Sequence, residues 1–276
     1  MSKRQVMAAV LVLAGLAGPE AALAQTARPA TFDLWAAGKT AFGVFVPDEN
    51  PAPRGPNRGP AVYTVAGGQA LAKNPLIDFV FLNLEGRYDR NAVMAISEGL
   101  GKKGTPGRKM LLVRIPSLAD AGPAETLVRI KEILAMGADG ITLPHIENLD
   151  QGRQAISLFA DARANVWSAA NPTGNVVAML MLEDPLAAAA AKDIADIGGY
   201  SVLACGIGSL TGALKGDRVA AEKLNQQIMV ETKRTRLVNM ITANDKDVAQ
   251  RVTEGFLGLL VPNDEVIKAG RAAAGR

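Results

Sequence analysis

Three charged side chains stand at the ends of short apolar runs, where a buried charge needs a partner. Glu85 follows DFVFLNL, Arg114 closes MLLVR, and Glu183 follows VVAMLML. An arginine inside so apolar a segment implies a carboxylate beside it, from Glu85, from Glu183 or from a ligand. His145, the only histidine, also lies at the end of an apolar run and has a side chain suited to proton transfer near neutrality. Glu183 and Asp184 are adjacent, so in an extended backbone they point to opposite sides. Asp184 precedes Pro185 and suits a helix cap, which leaves Glu183 for the site. Arg87, Gly206 and Ser209, in the segments GRYD and CGIGS, complete the candidate substrate-binding set. Cys205 reads most simply as a small core residue.

The elements that must position these residues alternate in kind. Strand-like runs fall at 41–46, 78–82, 110–115, 139–143, 176–182, 200–205, 236–241 and 256–261. Between them lie stretches with apolar residues at helical spacing, such as Leu127, Ile130, Ile133 and Leu134, with others near 67–74, 90–100, 148–163, 184–197, 218–233, 244–253 and 263–273. Runs apolar on both faces fit parallel strands covered by helices, and eight such pairs predict a (β/α)8 TIM barrel. A doubly wound sheet uses the same units, but its nucleotide-binding form needs G-x-G-x-x-G after the first strand, and residues 46–66 do not supply it. Residues 47–60, with five prolines, predict an extended loop after the first strand that serves as a lid or as a solvated excursion.

Composition removes several other classes. Of 276 residues, 49% are hydrophobic and 4% aromatic, too apolar a chain for disorder. The 30 basic and 27 acidic residues nearly balance and form no long basic run, so nothing points to nucleic acid. One cysteine allows no intrachain disulfide and, with one histidine, no four-ligand structural zinc site. Lys3 and Arg4, an apolar run from Val6 to Gly18, and Ala22-Leu23-Ala24 have the layout of a secretory signal peptide cut after Ala24. The expectation is a leader at 1–24 and one barrel domain at 25–276, exported to the periplasm or medium and without a membrane span.

The stretches DFVFLNLEGRYD, LLVRIPS, GADGITLPHIENLDQGRQAI, VVAMLMLEDP, YSVLACGIGSLTGALKG and RLVNMITANDKDVAQRVTEGFLGLLV, in this order over residues 40–273, resemble the HpcH/HpaI aldolase and citrate-lyase superfamily. The resemblance implies a phosphoenolpyruvate/pyruvate-type barrel that binds a 2-oxo acid or its enolate on Mg²⁺ or Mn²⁺. It also implies carbon–carbon bond cleavage or formation, and a homo-oligomer, trimer or hexamer, with exchanged terminal helices. Arg114 then sits where the family holds the oxo acid, Glu183 where it keeps its first metal carboxylate, and Glu85 at the acidic position of the second-strand motif. The chain departs at Gly86, where the family's aldolases carry a catalytic histidine, at Ser209, where the second metal carboxylate belongs, and at Asn83, for a usual aspartate. Two functions follow. One is an aldolase-like lyase in which His145 takes over proton transfer and Arg87 supplements charge stabilisation. The other is a non-catalytic carboxylate-binding barrel that has lost the base and one metal ligand.

Overall fold

In the computed structural model, which describes residues 28–53 and 59–276, eight parallel strands close on themselves in sequence order. They are β1 (Ala41–Phe45), β2 (Phe79–Asn83), β3 (Met110–Arg114), β4 (Gly140–Leu143), β5 (Val177–Leu182), β6 (Val202–Cys205), β7 (Val238–Thr242) and β8 (Gly258–Val261). The sheet closes through β1 and β8, with Ala41 opposite Gly258 and Val44 opposite Val261. This is the (β/α)8 barrel expected from the alternation, and no open-sheet edge is left. The expected leader lies outside the described residues, as do residues 54–58 of the proline-rich loop.

Each strand is buried on both faces, which is why its residues run apolar without alternation. The outward side chains pack under a ring of helices: α2 (Val65–Lys73), α3 (Arg90–Leu100), α4 (Leu118–Ala135), α5 (Leu149–Asp161), α6 (Pro185–Ala189), α7 (Ala191–Ala195), α9 (Arg218–Thr235), α10 (Val248–Glu254) and α11 (Asp264–Ala273). The inward side chains form a second core along the axis, including Phe79, Phe81, Leu112, Met179, Met181 and Met240. Glycine makes room for the largest of them. A Cβ on Gly43 would lie 2.3 Å from the Phe79 ring, so β1 stays bare where β2 projects its phenyl group.

The pole at the strand N-termini is plugged by α1 (Thr31–Ala36), a short helix with no counterpart in the sequence reading. Its Phe32 and Trp35 meet Trp167 in a three-ring cluster with centroids 5.7–6.3 Å apart. Trp35 Nε1 donates to Leu257 O at 2.9 Å, which fastens the plug to the start of β8. Ion pairs rivet the same pole, with Arg108 on Asp139 buried and Arg271 on Asp78 half-buried. In barrels this end carries stability, and chemistry belongs to the other.

Two helical boundaries correct the sequence reading. The stretch 184–197 is two five-residue helices, α6 and α7, that meet at Ala190. A further helix, α8 (Ile207–Ala213), follows β6 directly and carries Ser209 in its first turn. Within the proline-rich loop the described residues are free of helix and strand, as expected, but the loop is tied down. Glu49 accepts from the amide and hydroxyl of Thr64, the N-cap of α2. No helix among the described residues is long and apolar enough to cross a membrane.

Candidate active site at the strand C-termini

The C-terminal pole gathers the three charged residues that the apolar runs singled out. Arg114 is the last residue of β3, inward-facing and paired with Asn83 on one side and Thr142 on the other. Its Nη2 donates to Glu85 Oε1 at 2.6 Å and to Glu183 Oε2 at 2.9 Å. The choice left open by the sequence, Glu85 or Glu183, is therefore resolved as both. Glu85 reaches in from the turn after β2, which is shaped by the Glu85 amide donating to Asn83 Oδ1. Glu183 follows β5 directly, and its side chain is only 2% exposed.

A buried carboxylate needs donors, and Glu183 has two kinds. Besides Arg114, the backbone amide of His145 donates to its Oε2 at 3.2 Å. That contact depends on the turn after β4, where Pro144 ends the strand and His145 takes a left-handed φ of 51°. The conformation is uncommon for a residue with a side chain and marks a position held by its surroundings. It lays the imidazole across the carboxylates, with Nε2 2.7 Å from Glu85 Oε1 and Nδ1 3.4 Å from Glu183 Oε2. On the other flank, Gly206 presses against Glu183. A Cβ there would lie 2.4 Å from its Cγ, so Gly206 serves by leaving space for the carboxylate. Asp184 turns away and caps α6 by accepting from the amides of Leu186 and Ala187.

Two cavities meet at this cluster. One is a well of about 190 Å³ in the barrel mouth, lined by Arg114, Glu183, Gly206, Ser209 and a ring of apolar side chains. The other is a broader groove of about 790 Å³ over the ends of β3–β5, lined by His145, Asp120, Glu147, Asp184 and Ser209. Glu183 and Ser209 border both. Arg87 is exposed on the turn after β2 and lines neither cavity. Cys205 is buried at the edge of the well, and burial pushes its thiol up to about 12, so it is a packed core sulfur as expected. The sequence reading missed Phe45, Met181 and Met240, because an inward apolar residue looks the same whether it fills a core or lines a mouth.

Glu85, His145 and Glu183 offer ligand atoms that all lie within 4.8 Å of one another. Two carboxylates and an imidazole fit a divalent ion that tolerates nitrogen, such as Mn²⁺, better than Mg²⁺, which prefers an all-oxygen shell. The guanidinium of Arg114 already spans the two carboxylates. Ser209, which borders both cavities with Glu183, adds a hydroxyl, a poorer ligand than the carboxylate of the family pattern.

No family model matches the chain, and no curated protein matches it in sequence. Solved structures do. The HpcH/HpaI aldolase from Desulfitobacterium hafniense superposes with a TM-score of 0.63 at 16% identity, over 88% of this chain and 93% of that one. Citrate synthase SbnG gives a TM-score of 0.63 at 16% identity, over 88% and 94%. The citrate lyase β subunit of Mycobacterium tuberculosis, solved with oxaloacetate and magnesium, gives 0.58 at 18% identity, over 88% and 100%. At such identities the likeness speaks for architecture, and this chain has the barrel fold of the HpcH/HpaI aldolase and citrate lyase structures.

Proposed function

We propose that this protein is a divergent, aldolase-like lyase of the HpcH/HpaI and citrate-lyase superfamily, acting on a small 2-oxo or hydroxy acid through an enolate. The observation that carries the reading is the contact of His145 with Glu85 beside Arg114. It supplies an acid–base group where Gly86 has removed the one the family pattern would provide.

Arg114 binds and orients the substrate carboxylate, since only one of its guanidinium nitrogens is engaged by Glu85 and Glu183. With Nε2–H donated to Glu85, His145 Nδ1 is the nitrogen left to take a proton from the carbon next to the carbonyl. Its side chain is 43% exposed, so the imidazole has room to turn toward the groove. Glu85 fixes the tautomer and stabilises the imidazolium that forms. With His145 kept for the proton, Glu183 and Glu85 would hold a divalent ion, whose positive charge would favour the enolate oxygen.

Exchange of the methyl protons of pyruvate in deuterated water, followed by NMR with Mg²⁺ or Mn²⁺ present, tests this. His145→Ala should slow exchange by about 10²–10⁴-fold, the usual size of a general-base contribution. Unchanged exchange in a folded His145→Ala protein overturns the assignment. The alternative, a binding-only barrel, is favoured by Gly86 itself. It is exposed, and nothing lies within 4 Å of where its Cβ would stand, so no packing demand accounts for a glycine there. Pyruvate bound without any exchange in the wild type, with exchange appearing in Gly86→His, would establish that alternative.

A further inference from the structure

The well beside Arg114 has a composition that the carboxylate chemistry does not explain. Its wall is built from Phe45, Phe81, Met179, Met181, Met240 and Leu260. Arg114 and Glu183 are its only charged lining residues, and they pair with each other at one side. The hydroxyl of Thr142, a buried residue paired with Arg114 across the sheet, is taken up by the Sδ of Met179 at 3.2 Å. A space of about 190 Å³ corresponds to roughly six water molecules at liquid density, yet a buried water needs two to four polar partners. Beyond Arg114, Glu183 and the hydroxyls of Ser209 and Thr242 at the mouth, the lining side chains offer none, so water deeper in the well is weakly held and its displacement by an apolar group is favourable.

The mouth of the well points the same way. Phe45 ends β1 and remains 43% exposed, although it stacks edge-to-face on Phe81 with centroids 5.5 Å apart. A large aromatic left half in water at the rim of an apolar cavity gains burial when a ligand covers it. Three thioethers in the wall are unbranched and polarisable, and so adapt to different alkyl or aryl shapes.

Resting on the lyase reading above, we infer that the well is the specificity pocket for the substrate's carbon chain. The preferred acid carries an apolar side chain of about three to six carbons, alkyl or aryl. Its carboxylate lies on Arg114 and its tail points down among the methionines. A charged tail is disfavoured, since a second carboxylate would be stripped of water with no cation on the floor. The outer recess of about 300 Å³ between β7 and β8 shares Phe45, Thr242 and Leu260 with the well and carries Arg218 on its rim. An acid with a distal anion would go there instead.

Calorimetry with pyruvate, 2-oxobutanoate, 2-oxopentanoate and 2-oxohexanoate distinguishes these arrangements. Each methylene buried should tighten binding by up to about fourfold, giving roughly 10–60-fold between pyruvate and 2-oxohexanoate. Phe45→Ala should reduce that ratio several-fold, and Arg114→Ala should weaken every member of the series. Equal affinities along the series would overturn the inference while leaving the lyase reading intact. Tightest binding by 2-oxoglutarate, lost in Arg218→Ala, would overturn it in favour of a distal anion site. If no acid binds, the lyase reading fails. In that case benzyl alcohol, which has no carboxylate, should still shift the methyl signals of ¹³C-labelled Met181 and Met240. Unshifted signals would overturn the apolar pocket as well.

Discussion

Replacing Arg114 by methionine isolates the electrostatics of the site, because methionine keeps most of the stem's packing and removes only the cation. In the wild type one nitrogen holds two carboxylates, at 2.6 Å from Glu85 and 2.9 Å from Glu183. The Arg114 side chain is 12% exposed and that of Glu183 is 2% exposed, so the second pair is buried. Removing one partner of a buried pair usually costs about 3–5 kcal/mol, because the other charge is stranded. Glu85 is partly hydrated and Glu183 keeps the His145 amide, which places Arg114→Met near the lower end, about 3 kcal/mol. In a chain of this size that is a fall of roughly 6–12 °C in Tm. Glu183→Gln alone should cost less, about 1–2 kcal/mol, since Arg114 retains Glu85. The double variant should recover about 2 kcal/mol of the Arg114→Met loss, because no stranded charge remains. Urea unfolding followed by circular dichroism measures all four proteins. Additive single effects, or an Arg114→Met protein as stable as wild type, would refute the claim that Arg114 holds the two carboxylates together.

Two further predictions concern other ion pairs and the metal. Arg251, on α10, donates two hydrogen bonds of 2.7 Å to Glu222, on α9, and these hold the Glu222 carboxyl down at about 2. A carboxyl depressed in the folded state stabilises above its unfolded value near 4.5, and that contribution is lost as pH falls from there through about 2. With the carboxylate about a third exposed, the loss should be about 1–2 kcal/mol, and Glu222→Gln should flatten acid unfolding by that amount in the same pH window. Calorimetric titration with Mn²⁺ in the presence of oxalate should show binding that Glu183→Gln abolishes. Ser209→Asp should tighten it by about tenfold, and no change would mean that the first turn of α8 does not face the ion.

All eight strands were legible because burial on both faces leaves an unbroken apolar run, which survives in sequence whatever the helices do. The candidate site was legible for a related reason: Arg114, Glu85 and Glu183 interrupt or end those runs, and polar residues at such places need partners. What could not be read was the three-dimensional choice of partner. Arg114 meets Glu85 across 29 residues and Glu183 across 69, and nothing local says that one nitrogen serves both. The left-handed turn at His145 was also hidden: histidine is enriched at positive φ, but too few histidines adopt it for one residue to signal the turn. Helices α1 and α8, of six and seven residues, are too short to display a period, and α1 is defined by the rings it buries. The tie of Glu49 to Thr64 was hidden by prolines that read only as breakers.

The plug at the N-terminal pole carries a kinetic consequence. Trp35 finds its acceptor at Leu257, 222 residues away, and Thr40 donates its hydroxyl to Phe256 across 216. Both acceptors lie in the segment that leads into β8, so neither bond exists until the last strand is in hand. Until then β1 and β7 are open edges with unpaired amides, and three aromatic rings have no complete pocket. Contacts of such sequence separation require loop closure before they return any stabilisation, which places this topology among the slow folders. The barrel therefore commits late: the helix that plugs it gains its role only when the final strand arrives.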